Sequence, residues 1–167
     1  MANASQTDTK RAAAKRPDAI VLLRSDHKAV TALLAQFAKA RSDVRRNAIV
    51  QELCLALAVH AQIEKEIFYP AVMQAVGDTQ LIEQAAAEHE TLSAMIAQLQ
   101  QVDLDGAFSE AKIKAMSDYV REHVRHQQTS MFPLARSAGL DMGELGVHLT
   151  NRRQELFKQF DQSKGLD

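Results

Sequence analysis

The sequence between residues 60 and 70 reads His60-Ala61-Gln62-Ile63-Glu64-Lys65-Glu66-Ile67-Phe68-Tyr69-Pro70. His60 and Glu64 stand four residues apart in a helix-forming stretch, so their side chains leave the same helix face one turn apart. An imidazole and a carboxylate in this arrangement form half of a site for a metal ion of intermediate softness, such as iron, manganese or zinc. Many surface helices contain one such pair by chance, so its meaning depends on the rest of the chain.

The chain nearly repeats this stretch. His123 is followed four residues later by Gln127 and ten residues later by Pro133, with the bulky pair Met131-Phe132 before the proline. The same order of histidine, polar residue, bulky pair and proline therefore occurs twice, which indicates a crude internal duplication.

Apolar residues recur at alternating steps of three and four along most of the chain, the pattern of a buried helix face. We find no strand-like alternation of useful length, and we expect Pro70 to kink the end of its helix. The predicted helices span 18–41, 45–76, 78–102, 108–137 and 142–162. Short connections between four long helices predict an all-α fold, an up-down-up-down four-helix bundle. The additional C-terminal helix is expected to pack across an end or a side groove.

The bulk composition narrows the class of protein. The 167 residues are 46% hydrophobic with a formal net charge of −1, so no global field recruits nucleic acid or an anionic membrane. The single cysteine, Cys54, excludes an internal disulfide and fits a reducing compartment. No apolar run approaches the ~20 residues of a membrane helix. We predict a cytoplasmic protein with a polar, disordered tail at 1–17 and one domain at 18–162.

Four histidines lie in the apolar stripes of the four long predicted helices: His27, His60, His89 and His123. Counted from the predicted helix ends at ~1.5 Å per residue, the four fall within about 3 Å of one level. Burying several polar groups without a strong partner is costly, and a metal ion supplies such a partner. We infer that these histidines and Glu64 converge on a metal rather than form an unmetallated polar layer.

This pattern resembles the hemerythrin-like, HHE cation-binding family over about residues 18–137. The matching residues are Asp26-His27, His60 and Glu64 with Phe68-Tyr69-Pro70, Glu88-His89-Glu90, and His123 with Phe132-Pro133. The resemblance implies a four-helix bundle that holds a non-haem di-iron centre. Family members bind dioxygen, sense oxygen, iron or redox state, handle nitric oxide, or help repair iron–sulfur clusters.

The sequence departs from the family pattern at two positions. Gln127 stands where the family usually has a second bridging carboxylate, and Ser93 where oxygen carriers tend to have another histidine. Gln127 and His126 are weaker candidate ligands, because an amide binds metal poorly and His126 lies about 100° from the inward stripe. The implied ligands are thus reduced to His27, His60, Glu64, His89 and His123, which would leave two metal ions short of ligands.

Several readings stay open from these residues. The site could be a weakened di-iron centre, a single metal ion beside Glu64, or a zinc site. We favour binding or sensing of dioxygen or a related small molecule, such as nitric oxide, over catalysis. The alternatives are an oxygen- or nitric-oxide-processing enzyme with an external redox partner, and a degenerate site with a structural or partner-binding role. A homodimer is left open.

Other residues near the motifs receive simpler interpretations. Tyr69 occupies the same place in the repeat as Phe132, so both are read as aromatic packing. His148 on the fifth helix is read as exposed or interfacial, and Cys54 as a small buried hydrophobe. Room for a diatomic ligand is expected from the small residues Ala56, Ala61 and Ala85.

Overall fold

The computed structural model describes residues 16–77, 79–100 and 107–164, and every regular element within these ranges is helical. The tail predicted at 1–17 lies outside the described residues except for its last two positions. None of the described helices combines the length and apolar character needed to cross a bilayer. The helices are α1 (Ala19–Lys39), α2 (Asp43–Ile63), α3 (Tyr69–Val76), α4 (Thr79–Gln100), α5 (Ala107–His126), α6 (Phe132–Ser137) and α7 (Met142–Lys164).

Two π-helical turns interrupt the long helices directly before their prolines. The turn π1 (Glu64–Phe68) joins α2 to α3, and π2 (Gln127–Met131) joins α5 to α6. The backbone amide of Tyr69 donates to the carbonyl oxygen of Glu64, five residues back. Pro70 has no amide hydrogen to continue an α-helical ladder, and the widened turn accommodates it. The structure therefore has a wider helical turn just before the proline at which we expect a kink.

The four long helical units form the predicted up-down-up-down bundle. Helix α1 packs against α2 and α5, and α4 packs against the same two helices from the other side. The predicted second helix starts at residue 45, whereas α2 begins at Asp43, because Ser42 caps it by accepting a hydrogen bond from the Arg45 amide. The additional helix, α7, packs along α1, α2 and π1.

The bundle interior consists of two apolar clusters. One contains Leu23, Phe68 and Phe132, and the other contains Val30 and the buried thiol of Cys54. Burial raises the pKa of Cys54 to about 11, which fits its predicted role as a small hydrophobe. On each long helix the inward histidine lies between residues of the two clusters, so the histidine layer separates them.

A close backbone contact fixes α7 against the start of α1. Gly146 of α7 lies so near Pro17 that an added Cβ would be 1.8 Å from the Pro17 carbonyl oxygen and 2.9 Å from the Ala19 amide nitrogen. Both neighbours are backbone atoms, which cannot rotate away as a side chain can. Glycine at this position therefore allows α7 to dock.

Gly146→Ala is expected to lower the free energy of unfolding by about 1–3 kcal/mol, since the added methyl group overpacks this contact. The loss should appear as a lower midpoint in thermal unfolding followed by circular dichroism, by about 2–4 °C per kcal/mol. Gly143→Ala is the matched control, because its new Cβ would meet only side-chain atoms, the nearest at 3.2 Å. Equal midpoints for the two variants would contradict the proposed contact.

Candidate metal centre

The structure brings the four predicted histidines and Glu64 together in one buried layer. Each of His27, His60, His89 and His123 comes from a different helix and is no more than 7% exposed, and Glu64 is fully buried. Ligand atoms of His27, His60, Glu64 and His123 all lie within 4.8 Å of one another. The convergence that the helical periodicity predicts is therefore present.

Glu64 lies between two groups of side chains. Its Oε1 atom is 3.3 Å from His60 Nε2, which is in turn 3.2 Å from His27 Nε2. Its Oε2 atom is 3.0 Å from His89 Nε2 and 3.8 Å from His123 Nε2. The carboxylate thus presents one oxygen atom to each pair of imidazoles.

Gln127 belongs to the centre, although not as a carboxylate would. It opens π2 just as Glu64 opens π1, and it is 1% exposed. Its amide nitrogen donates to Glu64 Oε1 at 2.5 Å and to the Tyr69 hydroxyl at 2.9 Å. Its amide oxygen is buried with no hydrogen-bond partner among the described residues. The hydrogen bond that Gln127 donates therefore stabilises the buried charge of Glu64.

The sequence-based prediction that Tyr69 only packs is wrong. Its hydroxyl lies 3.1 Å from Glu64 Oε2 and 3.2 Å from His89 Nε2. In an α-helix, positions five apart do not share a face, but the π turn brings Tyr69 into line with Glu64. Phe132 does pack as expected, stacked on the His27 ring with centroids 6.0 Å apart. The signal in the sequence that could have found Tyr69 is the proline that directly follows it.

The remaining candidates lie beside the centre. His126 is half-buried and its Nδ1 lies 3.1 Å from Glu88 Oε1, while Glu88 Oε2 is 3.2 Å from Nδ1 of His123. Ser93 is exposed and its hydroxyl donates to the His89 carbonyl oxygen, and His148 faces solvent. None of these three polar groups joins the inner cluster, and the Glu88 carboxylate links His126 to the outer nitrogen of His123.

Electrostatics divide the inner residues by charge. Burial, reinforced by the nearby His60, lowers the pKa of His27 to about 3, so this ring is neutral. Burial would also lower the pKa of His60, but the carboxylates of Glu64 and Asp26 outweigh it and raise that pKa to about 10. Burial would raise the pKa of Glu64, yet His60 and His89 hold it well below its usual range. These pKa shifts describe an imidazolium–carboxylate pair between His60 and Glu64, and a cation that binds in the layer would have to displace the proton of His60.

The donor atoms suit a transition metal. Ligands held at about 2.1 Å around one ion lie up to about 4.2 Å apart, so small side-chain movements would bring the four clustered atoms onto an ion. Nε2 of His123 is buried without a hydrogen-bond partner among the described residues, an arrangement that is costly unless something binds there. Imidazole nitrogen with carboxylate or phenol oxygen is a donor set for iron or zinc rather than for calcium or magnesium.

Two spaces adjoin the layer. An internal cavity of about 10 Å³, enough for the centre of about one water-sized molecule, has His27, His60 and His123 in its wall. A surface groove of about 610 Å³ runs between α2–α3 and α4 and reaches Tyr69 and His89. The centre therefore has room for a very small molecule inside and an approach from solvent on one side.

A family model matches most of the chain. The profile of the Hemerythrin HHE cation binding domain matches residues 18–135. This range includes every residue of the inner layer and ends before α7.

Two individual proteins are similar to this chain, at 22% and 23% sequence identity. A protein from Nostoc sp., named DNA nickase, is 22% identical over 118 residues, which is 70% of this chain and 33% of the relative. The chain thus spans about a third of that relative's length. The crystal structure of a hemerythrin HHE cation-binding domain-containing protein from Mycobacterium kansasii superposes with a TM-score of 0.73 at 23% identity, over 83% of this chain and 86% of that one. The second likeness establishes a shared fold.

Proposed function

The chain belongs to the Hemerythrin HHE cation-binding domain family, and from this premise we propose that it binds two iron ions and binds or senses dioxygen or a related diatomic molecule. The observation that carries the proposal is the position of Glu64, whose two carboxylate oxygens face two different groups of ligand atoms. A carboxylate placed in this way can bridge two ions.

We assign the ligands by those two groups. His27, His60 and Oε1 of Glu64 would hold one ion, and His89, His123 and Oε2 of Glu64 would hold the other. Tyr69 is added to the second group, since its hydroxyl lies 3.1 Å from Glu64 Oε2. Burial and Glu64 raise the pKa of Tyr69 well above its usual value, so it is a neutral donor until a cation favours its phenolate. A phenol oxygen in the centre offsets part of the ligand deficit that Gln127 creates.

A di-iron centre would supply one-electron redox chemistry and open coordination positions for a diatomic ligand. A cavity lined by three of the histidines adjoins this position, but its volume of about 10 Å³ is at the lower limit for one water molecule, so a diatomic ligand requires neighbouring side chains to move. Its other lining residues are larger than the alanines expected to leave room: Val30, Leu57, Leu92, Tyr119, Val120 and Val124. Ala61 lines the outer groove.

A single-ion site is the second candidate, and a specific observation favours it. The four residues whose ligand atoms lie within 4.8 Å of one another include His123 but not His89. Three histidines and one carboxylate are sufficient for one zinc or iron ion. His89 therefore distinguishes the two assignments.

The test combines elemental analysis with the variant His89→Ala. Protein purified without a metal-affinity tag should contain about two irons per chain, and anaerobic reduced protein should develop a visible absorption band on exposure to air. His89→Ala should lower the content to about one iron, because the second ion loses a ligand. His148→Ala is the matched control, since that histidine faces solvent.

Each other outcome has a definite meaning. One ion per chain that is unchanged in His89→Ala would establish the single-ion site. Wild-type protein that binds no iron or zinc, and whose fold and thermal midpoint survive strong chelation untouched, would overturn the metal-binding proposal and leave a degenerate site.

Three further proposals accompany this function. We propose that the domain extends over 18–162, so that α7 is part of it. We place the protein in the cytoplasm, where a reducing environment keeps Cys54 free. If the centre turns over oxygen or nitric oxide, its electrons come from a separate protein, since the sequence contains no cofactor motif for a donor.

A further inference from the structure

Helix α7 lies beyond the residues that match the family profile, yet it contacts the candidate centre. The guanidinium of Arg153 on α7 pairs with Oδ1 of Asp26 at 2.9 Å. Asp26 is only 7% exposed and directly precedes His27 on α1. A side chain from the C-terminal helix thus reaches a buried carboxylate next to the histidine layer.

The other oxygen of Asp26 faces a proposed ligand. Asp26 Oδ2 lies 3.5 Å from Nδ1 of His60 in an ion pair, and both atoms are buried with no hydrogen-bond partner among the described residues. Their chemistry is complementary, because an imidazole N–H donates and a carboxylate oxygen accepts. Asp26 therefore stands between the Arg153 cation and the outer nitrogen of His60.

This arrangement constrains the ring of His60. A histidine that donates from Nδ1 to a carboxylate keeps Nε2 for a metal ion, and its ring orientation is held by that contact. Arg153 in turn limits the rotamers of Asp26, and its own guanidinium carbon lies 5.7 Å from the centre of the Phe157 ring. The line of contacts runs from α7 through Asp26 to the centre.

We propose that Arg153 is a positioning residue for the metal centre: it holds Asp26 against His60, so that the docking of α7 sets how this imidazole is presented to the metal. The inference rests on the proposed function, because it assigns His60 as a ligand. It adds a role for the C-terminal helix that the ligand assignment alone does not require.

The neighbouring arginine provides a matched control. Arg152 pairs with Glu66 at 2.6 Å and with Glu155 at 3.2 Å, and neither carboxylate contacts the inner layer in these pairs. Arg152→Gln removes one ion pair between α7 and π1 without touching Asp26. Any effect of simply loosening α7 should therefore appear in both variants.

The experiment measures Co²⁺ binding to the metal-free full-length protein by competition with a chelator, together with the ligand-field absorption spectrum of the bound Co²⁺. Arg153→Gln is expected to weaken Co²⁺ binding about 10-fold, the lower end for loss of a group that supports a metal-binding histidine. It should also shift the ligand-field bands, which report ligand geometry. Arg152→Gln should leave affinity and spectrum at the wild-type values.

A double-mutant cycle with Asp26→Asn decides whether the two residues act together. If they form one line of contacts, the double variant binds Co²⁺ no more weakly than Asp26→Asn alone. Losses that multiply, or Arg153→Gln with wild-type affinity and spectrum, would overturn the inference. Wild-type protein that binds no Co²⁺, Zn²⁺ or Fe²⁺ would instead overturn the proposed function, so the two failures are distinct.

Discussion

Replacing Glu64 by glutamine is expected to abolish stable metal binding. The substitution keeps the size of the side chain but removes the one charged acceptor that faces His60 on one side and His89 on the other. Loss of supporting groups outside the ligands themselves typically costs 10–100-fold in affinity, so loss of a bridging carboxylate should cost at least about 100-fold. Both groups of the centre should lose their ion, because each includes one oxygen of this residue.

The effect can be followed by metal content and by thermal unfolding. A ligand present at about 100 times its dissociation constant stabilises the folded state by about 2.7 kcal/mol, which is roughly 5–10 °C for a chain of this size. Added Fe²⁺ or Zn²⁺ should raise the wild-type midpoint by that amount and leave Glu64→Gln unchanged. Glu66→Gln, two residues further on and exposed, should show the same metal-induced shift of the midpoint as wild type. Metal-induced stabilisation that persists in Glu64→Gln would exclude Glu64 as a ligand.

The reverse change at the partner position, Gln127→Glu, is expected to have opposite effects on the two states of the protein. Without metal, the new carboxylate would replace an amide that donates to Glu64 at 2.5 Å, so a stabilising hydrogen bond becomes a repulsion between like charges. The metal-free protein should lose about 3 kcal/mol of stability. With metal, the second carboxylate neutralises additional charge, so the affinity for metal should increase.

The substitution should lower stability without metal and raise affinity for metal, and these opposite effects can be measured together. Thermal midpoints measured with chelator and with saturating Fe²⁺ should differ more in Gln127→Glu than in wild type. Gln128→Glu adds the same charge at an exposed neighbouring position and should leave the difference between the two midpoints at its wild-type value. If Gln127→Glu alters neither metal content nor the metal-induced shift, the position plays no part in metal binding.

The helical periodicity of the sequence predicts most of the fold and part of the centre. Because α-helical side chains repeat every 3.6 residues, the inward positions of His27, His60 and His89 follow from the apolar residues around them. Each of these rings is buried in the predicted layer. Glu64 follows from the same periodicity, since it lies one turn after His60.

The periodicity fails where the backbone stops being α-helical. Tyr69 reaches the centre only because π1 inserts a wider turn, and Gln127 occupies the matching place at the start of π2. The sequence shows only that Gln127 replaces a carboxylate that is usual in the family. The two hydrogen bonds that its amide donates depend on the local geometry of the π turns. The contact between Arg153 and Asp26 joins residues far apart in the chain and depends on how α7 docks, which no local pattern specifies.

The wide groove beside α4 adjoins one side of the buried layer. His89 and Tyr69 form part of the groove wall, whereas His60 lies behind Asp26 and the arginine of α7. A molecule that enters this groove from solvent reaches His89 and Tyr69 before His60. In the proposed two-ion centre, the half that contains His89 would therefore face the groove, and the half that contains His60 would be shielded from it by Asp26 and α7.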